Sequence, residues 1–281
     1  MNNNKKTVSI YKILILIICI ILAILSLFPF IVMIINSTRS TYQIQQHAVS
    51  LVPSKYFFNN FKILTGKSFK PRVGFVNSLI ISCGVTIFTL YFSTLTAYAL
   101  VMYEWKAKNA FFSFIMAVMM IPATITIIGF YQMAYKMHMT NNLLILILPA
   151  IAAPQMVFFM RQYMKPSVSP SLVESARIDG SKEFFTFNVI VLPIMKPALA
   201  TQAIFTFVTS WNELLRATVL LTNKSKYTLP VMVSLLNGDI YKREHGAIYV
   251  GLTLTALPLI IVYFILSKYI VAGVAMGSVK G

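Results

Sequence analysis

The sequence predicts an all-α integral membrane protein with six transmembrane helices, on three observations. Hydrophobic residues make up 58% of the 281 and charged residues only 11%, too little polar surface to cover a soluble core. The apolar residues gather into six runs without a single Asp, Glu, Lys, Arg or His, at 13–35, 75–101, 110–134, 143–160, 197–212 and 246–267. Within each run apolarity is continuous rather than alternating, the pattern of membrane helices and not of a membrane barrel.

Most runs reach the roughly 20 residues that a spanning helix needs. The first, 13–35, follows Lys5, Lys6 and Lys12 and superficially looks like a secretory signal. Its length and the lack of a small-residue cleavage site after it mark a retained first helix instead. The second and third spans are expected at 75–101 and 110–134, and the shorter fourth at 143–160 can lengthen at its ends. The fifth is expected to extend over 197–215, and the sixth over 246–267. All six belong to a single transmembrane domain, 1–281. Pro29, Pro122, Pro149, Pro154 and Pro258 lie inside the runs and imply kinks.

Cys19 and Cys83 both fall in predicted spans, so they are expected to pack and not to form a disulfide framework. The net charge of +17 is spread over every loop, which argues against nucleic acid and for anionic lipid headgroups of the bilayer as counterions. The distribution does not orient the chain. With a cytoplasmic N-terminus, half of the 24 basic residues fall inside and half outside. Two long loops, 36–74 and 213–245, carry most of the outside share and count least. The short connection 102–109, with Lys106 and Lys108, weakly favours an inside N-terminus. The two long loops are large enough to meet a partner outside the membrane, although a solvated connector is an equal reading of the first.

Several function classes lose ground. Gly66-Lys67-Ser68 imitates the end of a phosphate-binding loop, but position 61, where that motif needs glycine, is Phe61. The chain is therefore not expected to bind ATP. All 24 basic and 7 acidic side chains, and His47, His138 and His245, lie outside the six runs. Proton- and sodium-coupled carriers usually keep an ionisable group at membrane depth. No cluster has metal-ligand spacing and no nucleophile has a base in a recognisable motif. No catalytic or metal-binding residue is expected, and the chain is read as a non-enzyme. Such a protein is either passive or takes its energy from another subunit.

The loop at 161–196 bears on that choice. Ser169-Pro170 supplies an N-cap and a first-turn proline, and Ser171 with Glu174 offers an alternative capping box. A short helix is expected over about 171–179, ended by Gly180. Glu174 and Arg177 are spaced to pair at i,i+3, and the small Ala176 with Gly180 would let a partner's backbone approach. A helix lying at the headgroups fits the same composition.

Glu174-Ser175-Ala176, then Gly180, then Ile190, Leu192 and Pro193 resemble the EAA loop of the membrane subunits of binding-protein-dependent ABC importers. Every spacing fits, and the one departure is Ser175 in place of the second alanine. Phe75 to Leu79, Ala97 to Leu100, Met120 to Pro122, Met160 to Tyr163, Ser210 to Glu213, Thr228 to Pro230 and the tail Gly277 to Gly281 are similar to the carbohydrate branch, near the smaller maltose permease subunit. The extreme N-terminus, the first outer loop and 237–245 match least.

The resemblance implies a type I permease fold with a cytoplasmic coupling helix, in a bacterial or archaeal plasma membrane, with both termini cytoplasmic. It implies a second homologous permease subunit, two ATPase subunits that hold ATP and magnesium, an extracellular or periplasmic solute-binding protein, and a sugar as substrate. No cofactor is implied on this chain. Glu174, Ala176 and Gly180 would couple to the ATPase, with Ser175 in the motif and Arg177 and Asp179 as adjacent contacts. The tail Gly277, Ser278, Val279, Lys280 and Gly281 would reach the ATPase interface, with a frayed terminus as the plainer reading. Trp211 and Asn212 are candidates for the translocation path, since sugars stack on aromatics and bond to amides; an interfacial anchor and a packing amide fit equally. The segment 216–245 is a candidate contact for the binding protein. Two alternatives stay open: the same importer with another cargo, such as glycerol phosphates, and an ATP-independent secondary carrier.

Overall fold

The computed structural model describes residues 3–66, 69–122, 124–236 and 244–278, with side chains described between 10 and 265 within those ranges. Helices account for every regular element among them. In chain order they are α1 (Asn3–Ser37), α2 (Thr41–Gln46), α3 (Phe57–Gly66), α4 (Pro71–Met102), α5 (Lys108–Met119), α6 (Ile127–Lys136) and α7 (Leu144–Ile147). There follow α8 (Pro154–Ser167), α9 (Pro170–Ile178), α10 (Glu183–Phe185), α11 (Leu192–Ile194), α12 (Lys196–Trp211), α13 (Leu215–Leu220), α14 (Leu229–Leu236) and α15 (His245–Ser278).

Among the described residues, four helical stretches are long and apolar enough to cross a membrane: Ile10–Ser37, Pro71–Met102, Leu144–Ser167 and His245–Ile265. A fifth exists if Glu183–Ile194 and Lys196–Trp211, bent by 79° where they meet, form one broken span. The third expected span is not one helix. Residues 110–134 divide between α5 and α6, and neither has the length to cross alone. Pro122 explains the division, because its ring disfavours helical geometry at Ile121 and it offers no N–H to the preceding turn. In the fourth, Leu148–Ile151 tightens into a 3-10 turn and Pro154 restarts the helix as α8. The fifth helix ends at Trp211, short of residue 215.

The chain divides into two compact units, residues 1–69 with 233–256, and 70–232 with 257–281. In the first, α1 is almost wholly apolar on every side from Ile13 onward and its side chains from Ile10 to Ile31 are exposed, as expected of a helix whose solvent is lipid. Beyond it the loop between α1 and α3 is organised by the buried Arg39. Its Nη1 donates to Asn36 Oδ1 at 2.9 Å and to His47 O at 2.8 Å, and its Nη2 to Gln43 O at 2.9 Å. Ser40 and Gln43 form a reciprocal capping box on α2. Asn60 Nδ2 ties α3 to the carbonyls of Ser37 and Arg39. This loop is more than a solvated connector, because its buried polar groups satisfy one another.

The second unit is built on α4, which packs along α8 and α12. Its main apolar cluster joins Ala97 and Tyr98 of α4, Met160 and Met164 of α8, Val168, Val173 of α9, Phe187, Val191, Met195 and Ala198. Small residues let neighbours close on α4: a Cβ on Gly74 would lie 3.1 Å from Leu229 Cα. The described parts of Cys19 and Cys83 are exposed and unbonded to each other, so neither packs in a core as the sequence suggested.

Candidate functional site

Helix α9 opens the polar segment that the sequence singled out. Ser169 is its N-cap and Pro170 its first residue, but no side chain caps it. Ser169 Oγ and Ser171 Oγ instead bond to each other at 2.7 Å, so the capping box of Ser171 with Glu174 does not form. The helix ends in a full Schellman motif: Ser181 N–H donates to Ala176 O at 2.9 Å and Gly180 N–H to Arg177 O at 3.0 Å. Gly180 closes it at φ +83°, where a Cβ would meet nothing within 4 Å. Its lack of a side chain is therefore required by the turn itself.

One face of α9 is held by the protein. Val173 is 1% exposed and Ala176 is buried. Ala176 therefore packs inside this chain, contrary to the expectation that its small size leaves room for a partner. The other face is free: Glu174, Ser175 and Asp179 are exposed, and Ile178 is 86% exposed. Phe184 and Phe185 follow as further exposed rings. The sequence reading missed this apolar trio because a charged loop drew attention to its charges. An isoleucine closing an otherwise polar helix was the available signal.

The expected Glu174–Arg177 pair is replaced by another. Arg177 Nε donates to Glu183 Oε1 at 2.5 Å. Glu183 Oε2 accepts from Tyr98 Oη at 3.0 Å and also from Tyr103 Oη, and the guanidinium lies 5.0 Å from the Tyr103 ring centroid. The hydrogen bond from Arg177 holds the Glu183 carboxyl below its ordinary range, and Glu183 raises Arg177 further.

A second feature is a cavity of about 530 Å³ within the same unit, of a size that takes small ligands. Its wall includes Ser78 and Thr89 of α4, Gln155 of α8, Gln202, Phe205 and Thr206 of α12, and Glu213 and Arg216 beyond it. Thr228 also lines it, with a buried hydroxyl that has no partner among the described residues. Glu213 Oε1 accepts the Arg216 backbone N–H at 3.3 Å. Trp211 is not on this wall: it is 1% exposed, stacks on Phe207 and meets Phe75 edge-on. Asn212 is the exposed C-cap of α12. The residues flanking that pair, Ser210 and Glu213, line the cavity. Of the tail, Gly277 and Ser278 end α15, while Val279, Lys280 and Gly281 lie outside the described residues, as do 237–243 of the candidate binding-protein contact.

Several long apolar helices, with α4, α8 and α12 bordering a cavity of mixed polar and apolar lining, define the class as a multi-pass helical membrane protein. Its residues 63–276 match the family described as the inner membrane component of binding-protein-dependent transport systems, and the chain belongs to that family. It is 33% identical over 262 residues to the arabinooligosaccharides transport system permease protein AraQ of Halalkalibacterium halodurans, across 92% of this chain and 93% of that one. AraQ of Bacillus subtilis is 30% identical across 97% of each. The trehalose/maltose transport system permease protein MalG of Thermococcus litoralis is 30% identical, across 96% of this chain and 97% of its own. A crystal structure of a bacterial ABC transporter involved in the import of the acidic polysaccharide alginate contains a chain that superposes with a TM-score of 0.79. The match covers 93% of this chain and 96% of that chain at 24% identity, a likeness of fold.

Proposed function

We propose that this chain is one permease subunit of an ATP-driven sugar importer. It forms half of the translocation path, and α9 is the coupling helix that meets an ATPase subunit in the cytoplasm. Both termini are then cytoplasmic, the complete subunit crosses the bilayer six times, and a second permease completes the path. The observation that carries the reading is the division of α9 between a buried face at Val173 and Ala176 and an exposed apolar end at Ile178. Exposed apolar side chains at the end of a polar loop are what an interface core needs. The sugar names of the relatives support the cargo class. The cavity chemistry supports it too, since amides and hydroxyls can bond sugar hydroxyls while phenyl faces such as Phe205 take the C–H faces.

The cargo alternative of a glycerol phosphate draws on Arg216, a cation on the cavity wall. Glu213 beside it offsets that charge, which favours a neutral solute.

Replacing Ile178 by Glu tests the docking role. Because the side chain is 86% exposed, folding should be unaffected, while recovery of the ATPase subunits with the purified permease pair should fall about tenfold or more, as for a lost interface anchor. Undiminished recovery would count against the assignment.

A further inference from the structure

Glu183 occupies a position that no spacing in the sequence marks. Its two carboxylate oxygens join three elements: Arg177 at the end of α9, its own place at the start of the segment that bends into α12, and Tyr98 and Tyr103 at the end of α4. Between Arg177 and Glu183 the chain runs through the left-handed Gly180 and the extended Lys182 (φ −73°, ψ 145°). The helical ladder of α9 stops at the Schellman turn, and besides the main chain only the Ser181 Oγ–Thr186 Oγ1 bond at 2.8 Å and the Arg177–Glu183 pair link its end to the segment that follows, among the bonds described. Val173 packs in the apolar cluster that contains Ala97 and Tyr98 of α4, a contact without directional preference. Charge-assisted hydrogen bonds are directional and strong, and here they bridge the stretch from Arg177 to Glu183. The elements they join also carry the cavity: α4 supplies Ser78 and Thr89, and α12 supplies Gln202 and Thr206.

We propose that Glu183 is a positioning residue that passes displacement of α9 to both cavity walls, α4 and α12, through Arg177, Tyr98 and Tyr103. The inference rests on the reading that α9 meets an ATPase subunit. In its absence α9 could move against its apolar seat without carrying α4 with it.

The test uses the full complex, with its second permease, ATPase pair and binding protein, in proteoliposomes. Cys19 and Cys83 are replaced by serine and a cysteine reporter is placed by Thr206→Cys on the cavity wall. The probe is a membrane-impermeant maleimide, applied before and after trapping with ATP and vanadate. Trapping is expected to change the labelling rate several-fold when Glu183 is intact. With Glu183→Gln the change should vanish while ATPase subunits still co-purify and vanadate still traps nucleotide. A purely structural role would instead reduce assembly and trapping together. A labelling change that survives in assembled Glu183→Gln overturns the proposal. If that variant does not assemble, Tyr103→Phe decides, since it keeps the ring beside Arg177 and removes one donor: a diminished change supports the proposal and an undiminished one overturns it. Normal ATPase recovery with Ile178→Glu would identify failure of the docking reading itself, and would overturn both.

Discussion

At Gly180 one residue decides how α9 ends. The turn holds φ at +83° with open space around it, so the cost of a side chain is conformational and not steric. A β-branched residue in the left-handed region costs about 1–2 kcal/mol, whereas asparagine visits it readily. Gly180→Val should therefore lower the thermal midpoint of the purified complex, and Gly180→Asn should leave it nearly unchanged; equal midpoints would contradict the cap. Glu183 makes a different kind of contribution. Its carboxyl is held below the ordinary glutamate value of 4.5, first by the Arg177 hydrogen bond. A depressed folded pKa contributes stability that is present above the unfolded value and lost as pH falls through the folded one. Difference infrared spectra of the protein against Glu183→Gln should still show an ionised carboxylate at about pH 4.5, and a protonated one there would contradict the joint.

At the scale of elements, α9 is a helix too short to be stable alone, so its seat must stabilise it. Val173→Ala removes buried apolar volume from that seat and should cost about 2 kcal/mol, read as a lower unfolding midpoint. An unchanged midpoint would mean that the seat is not needed. Much of this element was legible in the sequence: Ser169-Pro170 announces its start and Gly180 its end, because both signals act within a few residues. What was not legible is long-range. Arg177 has a glutamate three residues away, yet it bonds Glu183, since Tyr98 and Tyr103 bring a carboxylate site to it that only the fold assembles. Apolar content likewise marked 110–134 as one run, but not that the chain breaks there at Pro122. The break between α5 and α6 and the 79° bend before α12 depend on how freed backbone groups find other partners.

For the whole molecule, composition sufficed to place it in a bilayer, but composition left its orientation tied. Family membership over residues 63–276 places the chain among binding-protein-dependent transport components, the setting in which the proposed docking of α9 would have a purpose, and the cavity wall suggests a cargo class that the loop could not. Trp211 illustrates the limit of reading such a wall from sequence. An aromatic beside an amide looks like a sugar platform, yet its ring is buried against Phe75 and Phe207, while plainer neighbours face the cavity. The central claim, that α9 meets an ATPase subunit, is tested most directly by cross-linking. With Cys19 and Cys83 replaced by serine, Ile178→Cys in the assembled complex should form a short-reagent cross-link to an ATPase subunit, and Ile125→Cys, also exposed, should form none. Absence of the product at 178 in a complex that still contains its ATPase subunits would contradict the account.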